Sequence, residues 1–194
     1  MAAEPIQRLT ALEYLDLERR SPERHEYLDG TMYAMSGASE PHNTVVANIG
    51  TELNLQMRGR PCRVYIADMR VATSPEGPFY YPDVVALCGQ PELLDKELDT
   101  LVNPMVVVEV LSPSTEGYDR GEKFARYRRI PTLVEYLLVS QTAMHIERFS
   151  RDPEGRWVLS DYTAREDELE LPAIGCTLAL SAIYDKVELD SVEP

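Results

Sequence analysis

The feature that most constrains this chain is the run Met105 to Leu111, MVVVEVL. β-Branched residues at consecutive positions leave no polar face, so the segment belongs in the middle of a sheet covered on both sides. A sheet covered on both sides needs helices to cover it, which makes the fold α/β with a mixed sheet. One residue of the run conflicts with that burial. Glu109 is an ionised carboxylate among Val106, Val107, Val108, Val110 and Leu111. Such a group is expensive in an apolar strand unless it is paired or binds a metal. The ordinary explanations are an exposed strand end or an arginine partner.

The rest of the chain supplies the covering elements. Thr10 to Arg20 reads as a short helix with Thr10 as cap and Glu13 completing a capping box, and with Leu12, Leu15 and Leu17 facing inward. Glu26 to Met35 reads as a hairpin about the Leu28-Asp29-Gly30 turn signal. His42 to Met57 is an amphipathic helix, since Val45, Ile49, Leu53 and Met57 recur at four-residue steps with Val46 beside them. Arg63–Ala72 and Tyr80–Leu87 read as strands, and Gln90–Pro104 as an irregular connector. A basic helix follows over Asp119–Arg129, ending before Pro131. Val134–Ser140 with Ala143–Phe149 reads as a strand pair, Trp157–Tyr162 as a further strand and Ser181–Val187 as a last helix. The 194 residues are enough for one core and too few for two ordinary domains.

Composition excludes several classes. The net charge is −14, which rules out a protein that coats nucleic acid by bulk charge. Residues Arg151 to Pro194 alone carry eleven acids against four bases, so that end should face away from a polyanion. Cys62, Cys88 and Cys176 are odd in number and widely spaced, and they read as small buried hydrophobes in a reducing compartment. The opening MAAEPIQRLTALEYL lacks the charge and apolar run of a signal peptide, and no aliphatic run reaches membrane-spanning length. A cytoplasmic protein without membrane contact is expected. There is no GxSxG, no Ser/His/Asp order and no Walker loop, which argues against a serine hydrolase and an NTPase.

The candidate chemistry begins with a second carboxylate, Asp83, which follows Pro82 at the start of a strand. Two acids on adjacent strands, Asp83 and Glu109, would offer hard oxygen ligands to Mg²⁺ or Mn²⁺, with the Val110 carbonyl as a third. Such a site suits phosphodiester hydrolysis. His42 opens a helix, where an imidazole ordinarily caps, but it can also ligate metal or act as a base. Arg120 and Tyr127 lie three residues before and four after Lys123, near one helical face. With Arg126 they make a patch able to contact phosphates, against the ordinary reading of a solvated basic helix. Asp68 is a further ligand or an edge charge. Glu26 lines the cleft from the hairpin.

The blocks HEYLDGTMYAMSG, EPHNTVVANIGTEL, YYPDVVAL, VVVEVLSPST, DRGEKFARYRRIP and VEYLLV, in this order, resemble the Uma family of the PD-(D/E)xK nuclease superfamily. The resemblance runs from about Leu9 to Glu188. It implies one restriction-endonuclease-like domain over residues 1–194, with a core at about 42–140, a mixed sheet flanked by helices, an N-terminal hairpin and C-terminal strand additions. It implies a metal-dependent endonuclease acting on nucleic acid, with DNA the expected polymer, and a homodimer where a duplex is to be cut. It includes His42 and resembles a pattern that places an acid at Glu52. One position departs from the pattern. A lysine is expected two residues after Glu109, and Leu111 stands there. Lys123, on the following helix, is the natural replacement. Without that replacement the chain would be a catalytically inactive nucleic-acid-binding, regulatory or interaction module of the same fold.

Overall fold

A computed structural model describes residues 8–189; the first seven residues of the opening MAAEPIQRLTALEYL and the last acids of the C-terminal stretch lie outside them. Two sheets share the work. The larger has six strands: β3 (Cys62–Ile66), β6 (Val84–Cys88), β8 (Val106–Leu111), β9 (Glu135–Ser140), β10 (Ile146–Arg151) and β11 (Trp157–Tyr162). Its order is β11-β10-β9-β8-β6-β3, with β8 and β9 parallel and every other neighbour antiparallel. The run read as a buried central strand is β8, and all six of its residues are buried.

The alternation of β8 sorts the core into two layers. Val106, Val108 and Val110 face α2 (Glu40–Met57), whose Val45, Val46, Ile49, Leu53 and Met57 form the apolar stripe expected from their spacing. The same layer takes in a short hairpin, β12 (Glu168–Leu171) with β13 (Cys176–Ala179), and α5 (Leu180–Ile183). Val107 and Leu111 face the other way, toward α4 (Phe124–Tyr127), whose Phe124 and Tyr127 join Tyr136 and Tyr80 in an aromatic cluster. Each fully buried valine contributes roughly 1.5–3 kcal/mol. Glu109 belongs by alternation to the aromatic side.

The smaller sheet has the order β2-β1-β5-β4-β7, from β1 (His25–Leu28), β2 (Thr31–Ala34), β4 (Arg70–Ala72), β5 (Phe79–Tyr80) and β7 (Thr100–Leu101). The first two form the expected hairpin. Asp29 and Gly30 both have positive φ (48° and 92°), as a tight hairpin turn requires. A Cβ on Gly30 would lie 2.6 Å from Arg8 Cβ.

Several expectations are corrected. Arg63–Ala72 is two strands in different sheets. The chain turns at Ala67, with φ at 60°, and passes from β3 to β4. Tyr80–Leu87 likewise divides at Pro82-Asp83, because proline cannot donate to a ladder. The two crossings are tied together by the Ala67 N–H, which donates to the Asp83 carbonyl at 2.9 Å. Within α1 (Ala11–Glu18) the capping box is present, but Leu12 and Leu17 are 79% and 43% exposed. The cap sets a phase that buries Tyr14, Leu15 and Glu18 instead. The connector 90–104 contains β7, which pairs in parallel with β4. Cys62 and Cys88 are register partners on β3 and β6 and form a disulfide, so only Cys176 is a free buried thiol. Among the described residues, no helix is long and apolar enough to cross a membrane.

Candidate active site

The site lies where the two sheets part. β6 pairs with β8 as far as Val84 opposite Val108, and one step further along that register sets Asp83 across from Glu109. The ladder stops there, which frees the Val110 N–H to donate to Asp83 Oδ2 at 2.7 Å. The other oxygen, Oδ1, lies 3.0 Å from His42 Nε2 in the first turn of α2. That helix start is fixed by Ser39, whose hydroxyl accepts from the His42 N–H at 3.3 Å. His42 therefore orients Asp83 besides standing at a helix start.

Glu109 is 4% exposed, and its Oε1 makes no well-aligned hydrogen bond among the described residues. Its neighbour is Lys123 Nζ, 2.9 Å from Oε1. The ammonium also lies 3.1 Å from Glu26 Oε1 and 3.6 Å from Asp119 Oδ1, and 5.4 Å from the centre of the Tyr80 ring. Local backbone explains how a helix supplies this group. Between α3 (Glu116–Tyr118) and α4, residues Asp119–Lys123 form a π-helical turn. The wider turn buries both Asp119 and Lys123, and the Asp119 carbonyl accepts a hydrogen bond from the Tyr136 hydroxyl at 3.0 Å. Leu111, two residues after Glu109 on the same side of β8, packs into the aromatic cluster.

Electrostatics follow from burial. Burial pushes the Glu109 carboxyl well above its usual range. Lys123 opposes this, while the charges of Asp119, Asp83 and Glu26 add to it. Burial pulls Lys123 toward neutrality, but Glu109, Glu26 and Asp119 overcome it and hold the ammonium well above the ordinary lysine value. The three carboxylates thus favour the charged form of Lys123. Four carboxylates face one lysine and one histidine. That acid excess fits a divalent cation shared by Asp83 and Glu109. Among the described residues, no group of three or more His, Cys, Asp or Glu side chains is arranged to hold a metal, so backbone oxygen or water would complete the shell.

The other expected residues separate. Glu26 joins the site, with its Oε1 also accepting from the Tyr81 N–H at 3.3 Å. Glu52 does not. It is ten residues beyond His42, about 15 Å along the helix, in a shallow cleft with Asn48, Thr51, Ser181 and Asp185. Asp68 is a surface charge 3.5 Å from Arg24 Nε. Tyr127 is fully buried against Tyr80 and Tyr136, out of reach of any substrate. Arg120 is held by Glu116 and Glu147, and Arg126 by Asp29.

Sequence reasoning missed two supports. Asp119 holds Lys123, four residues on. Glu18 is buried beneath the hairpin and accepts from the Tyr81 hydroxyl and the His25 N–H, both at 3.0 Å. Glu18 thereby ties β1, which carries Glu26, to the segment leading into Asp83. The usable signal for Glu18 was an acid on the same helix face as Tyr14 and Leu15, the same anomaly that marked Glu109.

The site is thus an acid pair at the parting of a mixed sheet, flanked by a buried lysine, in a mixed α/β fold. The architecture is similar to that of a crystal structure from Anabaena variabilis described as "a putative nuclease belonging to DUF820", with a TM-score of 0.76 at 12% identity over 93% of this chain and 99% of that one. Residues 11–182 match the Uma2 family model, "Putative restriction endonuclease", and the chain belongs to that family. Two Synechocystis relatives are similar along most of their length. "Uncharacterized protein slr1290" is 38% identical over 93% of each chain, and "Uncharacterized protein sll1609" is 33% identical over 84% of this chain and 92% of its own.

Proposed function

We propose that the chain is a divalent-metal-dependent endonuclease that hydrolyses phosphodiester bonds of nucleic acid, with DNA as the substrate. The observation that carries the reading is Glu109, a carboxylate buried in the central strand, across from Asp83 and 2.9 Å from a buried lysine. Asp83 and Glu109 would hold Mg²⁺ or Mn²⁺, with the Val110 carbonyl as a third oxygen. The chemistry that a metal supplies at such a pair is acidification of water and neutralisation of phosphate charge. Lys123, kept cationic by three carboxylates, stabilises negative charge that develops on the phosphate. Glu26 and Asp119 hold that ammonium in place, and His42 fixes the orientation of Asp83. Leu111 can donate nothing, so the duty of a strand lysine passes to Lys123.

The test is calorimetric titration of Mg²⁺ and Mn²⁺ into wild type, Asp83→Ala and Glu109→Gln, with plasmid and oligonucleotide cleavage measured alongside. Both variants should lose metal binding and cleavage while keeping the native circular dichroism spectrum. Full activity in Asp83→Ala would sink the assignment. One observation favours a second reading, a catalytically inactive module of the same fold. Lys123 is already enclosed by Glu109, Glu26 and Asp119, a closed network that needs no metal to exist. A wild type that binds no divalent ion and cuts nothing would decide for that module.

A further inference from the structure

The β1–β2 hairpin has two unlike faces. Residues directly opposed in an antiparallel pair project to the same side. Tyr27 opposite Met32 packs into the cluster of Tyr14 and Phe79. The other face carries Leu28 with Thr31 and Glu26 with Tyr33. The Met35 N–H donates to the Arg24 carbonyl at 2.9 Å, which extends this face to Arg24 and Met35. Glu26 reaches from that face to Lys123. Tyr33 is its direct cross-strand neighbour, with Cβ atoms about 4.5–5.5 Å apart, on the edge strand of the sheet. Tyr33 is 52% exposed, and its hydroxyl makes no hydrogen bond among the described residues. Met35 beside it is also exposed.

The nearby cations give an independent constraint. Arg120 and Arg126 are tied to carboxylates and Lys123 is buried, so of the five bases in this segment only Arg128 and Arg129 stay exposed without an ion pair among the described residues. On a chain of net charge −14, affinity for a polyanion needs a contribution that does not depend on charge. Stacking of a base on an aromatic ring is such a contribution, worth about 1–3 kcal/mol per base. A duplex conceals its base faces, and an unpaired strand presents them.

We infer that Tyr33, flanked by Met35 and Arg24, is a stacking platform for an unpaired base next to the scissile phosphate, and that the substrate is single-stranded or locally unpaired nucleic acid. The inference rests on the nuclease reading above and deepens it.

The experiment compares wild type, Tyr33→Ala, Tyr33→Phe and the control Leu159→Ala, an equally exposed site on β11. The probes are a single-stranded DNA oligonucleotide containing aminopurine and the same sequence as a duplex. Binding is followed by aminopurine fluorescence with Ca²⁺, and cleavage with Mn²⁺. The single strand should be bound and cut in preference to the duplex. Tyr33→Ala should raise its Kd and KM roughly 5- to 150-fold and abolish the aminopurine quench, Tyr33→Phe should restore both, and Leu159→Ala should change neither. A wild type that prefers duplex, or a Tyr33→Ala protein that handles the single strand as wild type does, overturns the stacking assignment and leaves the nuclease reading standing. A wild type that neither binds nor cuts either probe overturns the nuclease reading, and this inference with it.

Discussion

Replacing Lys123 by Met keeps most of the alkyl volume and removes the one cation among Glu109, Glu26 and Asp119. In wild type the ammonium lies 2.9, 3.1 and 3.6 Å from these carboxylates. Glu109 accepts no hydrogen bond from any other described residue, so its buried charge would be left without compensation. Breaking a buried pair on one side costs about 3–5 kcal/mol, and with an m-value of about 2–3 kcal/mol/M the urea midpoint should fall by roughly 1.5 M. The loss should also depend on pH. Burial raises the Glu109 pKa in the folded state, so the folded variant binds a proton more tightly than the unfolded chain. That contribution is fully present below the unfolded glutamate value near 4.3 and is lost as pH rises through the folded value. The variant should therefore be less impaired at pH 5 than at pH 8. In wild type the Lys123 ammonium opposes that shift, so its decline over the same interval should be smaller. The assay is urea unfolding at both pH values in EDTA, with Lys123→Arg as the charge-retaining control. A loss below about 1 kcal/mol at pH 8, or an equal loss at both pH values, would refute the claim that Lys123 compensates a buried carboxylate.

Two further predictions concern the scaffold. Asp99 bonds Arg19 and Arg70, and the Arg19 hydrogen bond holds its carboxyl well below the usual range. That stability is present above the unfolded aspartate value near 3.9 and is lost as pH falls toward the folded value. Asp99→Asn should cost on the order of 1 kcal/mol at pH 7, a figure discounted because the group is partly exposed. The gap from wild type in urea unfolding should narrow by pH 2.5; a constant gap would count against the ion pair. In denaturant without reductant, alkylation should label Cys176 alone, and all three cysteines after reduction. Reduction should lower stability by about 3 kcal/mol for a loop of this length, and three labelled cysteines without reductant would contradict the Cys62–Cys88 bond.

What the sequence made legible follows from range. Val45, Ile49, Leu53 and Met57, and the valines of β8, declare their burial through local spacing. Glu109 was visible as a charge where an apolar residue belongs, and Asp83 by its place beside Pro82. The misplacements are of another kind. Ala67 and Pro82-Asp83 carry the chain between sheets, and local propensity cannot distinguish one long strand from two short ones in different sheets. Tyr127 was placed beside Lys123 by ordinary helical spacing, but the π-helical turn at Asp119–Lys123, held by Tyr136 from β9, changes which side chains share a face. Leu12 and Leu17 were given to the core by hydrophobicity, when the helix phase set by Thr10 leaves them in water. The Cys62–Cys88 pair needs the β3–β6 register, a tertiary fact that spacing alone does not contain.

Charge placement bears on the substrate through the same residues. The segment Asp119–Arg129 looks like a phosphate-tracking stripe when its bases are counted, but in the fold three of the five are spent on neighbours and only Arg128 and Arg129 stay exposed without an ion pair among the described residues. Arg120 neutralises Glu147 of β10, Arg126 closes on the hairpin turn at Asp29, and Lys123 is buried. A protein of net charge −14 with two free arginines on that segment would hold a long duplex weakly. Under the proposed function, it must gain affinity at the cleft itself, from a cation shared with the scissile phosphate and from contact with a base. The expectation of a homodimer came from the need to cut two strands. A protein that takes one unpaired strand between the hairpin and Lys123 needs one catalytic centre, so the case for pairing two copies weakens with the case for a duplex substrate.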